Sequence, residues 1–178
     1  MIQEYYQKAI KFAGEKHSQQ KVPGSEANYV LHLSNVAMEV LVAYQNKPDF
    51  DLVFTVQLAL LHDTLEDTDT TFEALTNEFG LAVAKGVQGL TKDETLSTKR
   101  ERMLDSLVRI NTLEKEVGLV KLADRITNLQ EPPSTWKLDK IKAYAEEAVL
   151  IAETLQGKNK YLHNRLLKKI EAYKKYAN

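Results

Sequence analysis

The sequence contains no cysteine, which excludes disulfide bonds and thiolate metal sites. A metal ion would therefore have to be bound by histidine and carboxylate side chains. Positive charge is not in excess either, since 24 Lys and Arg residues stand against 25 Asp and Glu, for a net charge of −1. Nucleic acids and anionic membranes attract clustered excess cations, so we expect neither as a partner.

Long apolar runs are also missing. The first residues, MIQEYYQKAIKF, indicate an amphipathic helix rather than a signal peptide. No stretch approaches the roughly 20 apolar residues that a membrane-spanning helix needs. We therefore expect a cytoplasmic protein, and its 178 residues suffice for one domain with a substantial core. The sequence does not indicate an oligomeric state.

The sequence pattern favours helices throughout. Alternating Val, Ile and Thr runs and Asn-Gly or Asp-Gly turns are absent, so signals for β-strands are weak. Apolar residues at helical spacing predict helices over 3–17, 32–46, 51–66, 81–89, 98–113, 117–129, 137–155 and 160–176. Another should begin with a capping box formed by Thr70 and Glu73 and end near Gly80. The pattern predicts a single all-α domain over residues 1–178.

The segment LALLHDTLEDTDTT, residues 58–71, combines an apolar stripe with four titratable side chains, His62, Asp63, Glu66 and Asp67. His62 and Glu66 are four residues apart, as are Asp63 and Asp67, so each pair should share a helical edge. Buried charges are costly unless they are paired or bind metal. The pattern therefore indicates a divalent metal site with nearby acids to activate water. The alternative is a helix end whose acids are merely solvated.

Two further residues supply the ligand types that such a site needs. His32 lies in NYVLHLSNVAMEV and Asp124 in VKLADRITNL, both on apolar helical segments. Each also has a structural interpretation, as a buried core histidine and as a salt-bridge partner of Arg125 or Lys121. Imidazole and carboxylate ligands suit Mn, Fe, Mg or Zn, and composition does not choose among them.

The ordered set His32, His62-Asp63 and Asp124 resembles the metal motif of the HD-domain superfamily. Within it, the chain is similar to the hydrolase domain of RelA/SpoT homologues, especially the stand-alone small alarmone hydrolases. The matching stretches are HSQQKVPGSEANYVLHLSNVA (17–37), ALLHDTLEDTDTTFEALTNEFG (59–80) and LVKLADRITNL (119–129). The C-terminal part, with Trp136, Tyr144 and LQGKN, also resembles the closing helices of that family.

The resemblance implies a helical HD-domain bundle that hydrolyses the 3′-pyrophosphate of ppGpp or pppGpp, giving GDP or GTP and pyrophosphate. His32, His62, Asp63 and Asp124 would bind one divalent ion, usually Mn²⁺ in this family. Glu66 and Asp67 would position and activate the attacking water. The implied substrate-binding residues are Lys21 near the base, Lys121 and Asn128 at the ribose or phosphate, and Tyr144 beside the nucleotide.

The chain departs from the family pattern in the loop expected to meet the base. Gln19 replaces a Gly, Asn28 and Leu33 replace prolines, and Lys21 is followed by Val22 rather than further cations. These changes leave the metal motif intact. Hydrolysis of another nucleotide, such as a dNMP or an NADPH-like cofactor, therefore stays open, as does a non-catalytic nucleotide-binding module.

A polar stretch between the motifs carries further positive charge. These cations could contact the phosphates of a substrate or simply face the solvent, and they are Lys92, Lys99, Arg100 and Arg102.

Overall fold

The computed structural model describes residues 1–177, and this range contains ten α-helices. The only β pairing within it is an isolated bridge between Lys21 and Asn28. The predicted all-α class is therefore confirmed. In the same range no helix is both long and apolar enough to span a bilayer. The helices are α1 (Ile2–Lys16), α2 (Val30–Asn46), α3 (Leu52–Leu61), α4 (Thr64–Asp67), α5 (Phe72–Phe79), α6 (Leu81–Leu90), α7 (Lys99–Thr112), α8 (Lys115–Asn128), α9 (Leu138–Thr154) and α10 (Lys160–Ala177).

Helices α3 and α8 form the centre of the bundle. Every residue of α3 from Thr55 to Leu61 is buried, as is every residue of α8 from Glu116 to Thr127. A helix that is apolar on all sides must be surrounded by other elements, and α3 contacts α1, α2, α6 and α8. Polar side chains on α8 and at the end of α3 are therefore enclosed by protein.

The predicted helix over residues 51–66 is wrong in one respect, because it breaks at His62 and Asp63. Here α3 ends and the short α4 begins after a turn. The His62 imidazole Nδ1 donates to the Ala59 carbonyl at 2.9 Å and the Thr64 hydroxyl donates to the Leu61 carbonyl at 2.7 Å. Side chains thus occupy carbonyls at the end of α3, and the two motif residues lie at a corner between helices.

The start of α5 corrects a second expectation. Thr71, not Thr70, is the N-cap, and its side chain accepts a hydrogen bond from the Ala74 backbone N–H. The buried Thr70 hydroxyl instead contacts Thr68 at 2.7 Å. The helix ends at Gly80 as predicted, with a φ of 90° that favours glycine. A capping box does occur in the chain, at the start of α7 between Thr98 and Glu101.

Candidate active site

Three segments that are distant in sequence meet at the centre of the bundle. His32 lies in the first turn of α2, His62 and Asp63 lie at the corner after α3, and Asp124 lies on α8. His32 Nε2 is 3.3 Å from His62 Nε2 and 3.4 Å from Asp124 Oδ1. His62 Nε2 is 2.9 Å from Asp63 Oδ2. The four side chains therefore point into one small polar site within an apolar interior.

The donor atoms fit a divalent metal ion. His32, His62 and Asp124 each offer one ligand atom, and these atoms all lie within 4.8 Å of one another. Ligands about 2.1 Å from a single ion are separated by about 3.0–3.4 Å in tetrahedral or octahedral arrangements, close to the observed separation of the imidazoles. Because a carbonyl only accepts, the Ala59 carbonyl fixes the proton on His62 Nδ1 and directs Nε2 toward the ligand set.

The electrostatics of the site couple metal binding to protons. Burial disfavours a charged His62 imidazole, but Asp63 and Asp124 outweigh it and raise its pKa to about 10. Burial likewise opposes ionisation of Asp63, yet His62 holds the pKa of this carboxyl well below its usual range. Without metal, a proton on His62 thus compensates the buried carboxylates. An ion bound by His62 Nε2 would take over that role.

Two of the predicted substrate-binding residues contact the carboxylate of Asp124, a predicted metal ligand. Asn128 donates from Nδ2 to Asp124 Oδ1 at 2.5 Å, and Lys121 Nζ is 3.4 Å from Asp124 Oδ2. Burial works against ionisation of Asp124, but Lys121 and the two histidines hold its pKa well below the ordinary value. Asn128 therefore orients the Asp124 carboxylate, and Lys121 favours its ionised form. Contact of either residue with a ribose or phosphate stays a prediction.

Tyr29 belongs to the site, although the sequence reasoning assigned it no role. Its hydroxyl donates to Asp63 Oδ2 at 2.6 Å, and its ring lies 5.1 Å from the His32 ring. Burial and the Asp63 charge raise its pKa above the ordinary value, so the phenol stays protonated and remains a donor. Its place three residues before His32 was the available signal, because one turn of helix separates such residues.

Glu66 and Asp67 lie beside the ligand cluster on α4 and have different partners. Glu66 accepts from the backbone N–H of Lys92 at 3.0 Å and from Lys92 Nζ at 2.7 Å. Asp67 accepts from Gln20 Nε2 at 2.8 Å. Burial raises the pKa of Asp67, and Asp63 and Glu66 raise it further, while the Gln20 hydrogen bond lowers it. One acid is thus paired with a cation and the other with a neutral amide.

Gln20 is itself held by a buried histidine. Its side-chain oxygen lies 2.5 Å from Nδ1 of His17, the C-cap residue of α1. Because that oxygen only accepts, its amide nitrogen is directed toward Asp67. The HSQQ segment therefore contributes to the site through Gln20, a role that sequence reasoning did not assign.

The other predicted substrate-binding residues lie in different surroundings. Lys21 is exposed and pairs with Glu26 in its own loop. Tyr144 on α9 is partly buried between an edge contact with Trp136 and the Arg125 guanidinium, which lies 4.2 Å from its ring centroid. Burial raises its pKa to about 12. Lys21 and Tyr144 therefore have different contact partners.

The four cations of the polar stretch after α6 have different contacts. Lys92 contacts Glu66, whereas Arg102 donates to the carbonyls of Leu96 and Glu94. Lys99 and Arg100 are exposed in the first turn of α7. Only Lys92 of the four contacts a predicted catalytic residue.

The family model for the HD domain matches residues 9–158. This chain belongs to the HD-domain family. The matched region contains all the predicted site residues, namely the four metal ligands, the two acids and the substrate-binding residues. The single domain over residues 1–178 stays a prediction, since the match leaves the ends of this HD-domain chain uncovered.

Several relatives of this HD-domain chain are named for the same activity. Guanosine-3′,5′-bis(diphosphate) 3′-pyrophosphohydrolase MESH1 of Danio rerio is 36% identical in an alignment of 162 residues that covers 88% of this chain and 87% of the relative. The enzyme of the same activity from Aquifex aeolicus is 37% identical over 83% of this chain, but over only 20% of its own length. A solved structure of a metazoan ortholog of SpoT that hydrolyzes ppGpp has a TM-score of 0.81 and 28% identity, with 94% of each chain covered. The predicted resemblance to RelA/SpoT homologues is thus confirmed.

Proposed function

We propose that this protein hydrolyses the 3′-pyrophosphate of guanosine polyphosphates, releasing pyrophosphate and leaving GDP or GTP. The observation that carries the proposal is the convergence of His32, His62 and Asp124 beside the acids Glu66 and Asp67. The activity named for relatives that align along most of this chain supports the choice of substrate.

We propose Mn²⁺ as the ion, bound by His32, His62, Asp63 and Asp124, because imidazole and carboxylate ligands together suit borderline divalent ions. A divalent ion there supplies positive charge that acidifies water and polarises a phosphoryl oxygen. Both proposed carboxylate ligands are held by neighbouring groups of the chain. Tyr29 donates to Asp63, and Asn128 donates to Asp124.

In the proposed reaction, a water oxygen bonds to the phosphorus nearest the ribose and the bond from that phosphorus to the 3′-oxygen breaks. The water loses a proton to a carboxylate, and the 3′-oxygen gains one. Asp67 suits the proton-accepting role, since burial brings its pKa above the ordinary value for an aspartate and a base is most effective near the working pH. Glu66, paired with Lys92, would orient the water.

We propose that four side chains contact the nucleotide. Lys21 would meet the base, Lys121 and Asn128 the ribose or phosphate, and Tyr144 the nucleotide ring. The aromatic and cationic surroundings of Tyr144, namely Trp136 and Arg125, support the last of these, because bases stack on such groups. A small soluble substrate is in keeping with the cytoplasmic location that we expect from the sequence.

A second candidate is hydrolysis of a different nucleotide at the same metal site. The observation that favours it is the altered loop, where the Asn28 side chain donates to the carbonyl of Ser18 at 3.1 Å and accepts from the Val30 backbone at 3.0 Å. Asn28 thus connects the loop to the start of α2 through side-chain hydrogen bonds that the proline of the family could not make. The loop expected to meet the base therefore differs from that of the family.

Release of pyrophosphate from ppGpp with Mn²⁺ tests the proposal, with Asp63→Ala and Glu66→Ala as variants. We expect release by the native chain and its loss in both variants, while dNMPs and NADPH turn over far more slowly. Equal or faster turnover of those nucleotides would refute the alarmone assignment. Absence of a bound divalent ion in the native chain would favour a non-catalytic module.

A further inference from the structure

The Glu66 carboxylate receives both of its hydrogen bonds from one residue. Lys92 donates from its backbone N–H to Oε2 at 3.0 Å and from Nζ to Oε1 at 2.7 Å. The two side chains are 32% and 22% exposed, so the pair is largely shielded from water. A carboxylate bound through both oxygens loses the freedom to rotate. The orientation of Glu66 therefore depends on where the backbone of Lys92 lies.

That backbone is fixed by an arginine outside the site. Lys92 follows Thr91, the C-cap residue of α6, and Arg109 of α7 binds the carbonyls exposed at this end. Its Nη1 lies 2.6 Å from the Gln88 oxygen and 3.2 Å from the Gly89 oxygen, and Nη2 lies 2.8 Å from the Thr91 oxygen. A cation at a helix C-terminus also opposes the negative end of the helix dipole.

Arg109 is in turn held by its own helix. Its Nε donates to Asp105 at 2.8 Å, one turn earlier on α7. The buried Ser106 hydroxyl donates to the Gly89 carbonyl at 3.0 Å, which adds a second tie between α7 and the end of α6. All three nitrogens of the guanidinium are thus occupied, and the residues that precede Lys92 are anchored through several carbonyls.

We propose that Lys92 and Arg109 are positioning residues, with Arg109 fixing the end of α6 and Lys92 thereby fixing the Glu66 carboxylate. This inference rests on the proposed function, in which Glu66 orients the attacking water. Burial disfavours the charged ammonium of Lys92, but Glu66 outweighs it and raises the Lys92 pKa. The Lys92 ammonium therefore keeps its positive charge at neutral pH.

The geometry is tested without any substrate, by the ¹³Cδ chemical shift of Glu66 in the metal-free protein. Lys92→Met removes the ammonium but keeps the backbone donor, and Arg109→Met removes the guanidinium. We expect the Glu66 resonance to move in both variants. Arg165→Met is the matched control, because Arg165 binds Glu39 through two nitrogens. It does not contact the relay, by which we mean the chain of contacts from Arg109 through Lys92 to Glu66. A Glu66 resonance unchanged in Arg109→Met would overturn the role of Arg109.

Helix content and thermal midpoint are measured on each variant, because loss of Arg109 could unfold the end of α6. Arg109→Lys provides the second variant. A lysine keeps the positive charge but cannot bind three carbonyls and Asp105 together. If Arg109→Met does not fold, a displaced Glu66 resonance in folded Arg109→Lys supports the relay, and an unchanged resonance overturns it.

The effect of Lys92 on catalysis is tested by steady-state hydrolysis of ppGpp with Mn²⁺. We expect Lys92→Met to lower kcat by about 10- to 100-fold, with KM and Mn²⁺ affinity little changed, and Lys92→Arg to restore part of the loss. Because Lys92 acts through Glu66, the double variant Lys92→Met/Glu66→Gln should be no slower than Glu66→Gln alone.

The outcomes separate this inference from the proposed function. Additive losses in the double variant, or a raised KM with unchanged kcat, would show that Lys92 acts on the phosphate directly and would overturn the relay. A native chain that releases no pyrophosphate would refute the proposed function, while the Glu66 resonance would still decide whether Arg109 and Lys92 position that carboxylate.

Discussion

The hydroxyl of Tyr29 donates a 2.6 Å hydrogen bond to Oδ2 of Asp63. The two residues are 34 positions apart in the chain and come together where the start of α2 faces the corner after α3. This bond orients one of the four proposed metal ligands from outside the ligand set.

Tyr29→Phe should weaken the binding of a divalent ion by about tenfold, because loss of such an orienting partner typically costs 10- to 100-fold in affinity or activity. Isothermal titration with Mn²⁺ measures the effect. Tyr44→Phe is the control, since the Tyr44 ring packs against Phe50 outside the site. Equal affinities for native protein and Tyr29→Phe would show that the hydroxyl does not orient the ligand.

Metal binding should release protons. In the metal-free protein the His62 pKa of about 10 means that this imidazole is charged at neutral pH, and an ion must displace that proton to use Nε2. The apparent affinity should therefore rise with pH up to about 10, by close to tenfold per unit. Titration calorimetry at pH 7.5 in buffers of different ionisation enthalpy counts the protons. A count near zero would contradict the charged state of His62.

Gln20→Leu should shift the acid side of the pH–rate profile to higher pH. The Gln20 hydrogen bond lowers the pKa of Asp67 against the stronger effect of burial, so its loss raises that pKa. A base is inactive when protonated, so activity on the acid side of the profile should fall in the variant and recover as pH rises. The exposed neighbour Gln19→Leu serves as control. A profile that only drops in height, without shifting, would argue against Asp67 as the proton acceptor.

Two glycine substitutions should change stability in opposite directions. An added Cβ at Gly86 would lie 2.5 Å from Leu58 Cδ2 in the core, whereas one at Gly14 would lie 3.5 Å from Val30 Cγ2. Gly86→Ala should therefore lower the free energy of unfolding by about 1–3 kcal/mol through overpacking. Gly14→Ala should raise it by up to about 1 kcal/mol through helix propensity. Urea denaturation midpoints compare them, and a neutral Gly86→Ala would mean that Leu58 moves freely.

Helical periodicity was sufficient to predict the fold class and most helices, because the pattern of buried residues is local in the sequence. The break at His62 and the cap at Thr71 were not predicted. Both depend on which backbone groups a short polar side chain occupies, and neighbouring threonines offer equivalent choices at the level of sequence.

The residues of the candidate site were predicted from the sequence, but the partners of its two acids were not. Residues of the HD motif were found because the motif has a recognisable order, and the structure brings His32, His62 and Asp124 together. The partners of Glu66 and Asp67 were missed. Lys92 and Gln20 lie 26 and 47 residues from the acids they contact, and only the packing of α1 and α6 against the centre brings them there.

The corner between α3 and α4 has a consequence for folding. The proposed ligands come from α2, from this corner and from α8, so no short piece of the chain holds a complete set. An ion bound there would act as a reversible cross-link that only the assembled bundle can form. Such an ion, at 100 times its dissociation constant, would stabilise the bundle by about 2.7 kcal/mol. The metal supply would then influence the fraction of the protein that is folded as well as its activity.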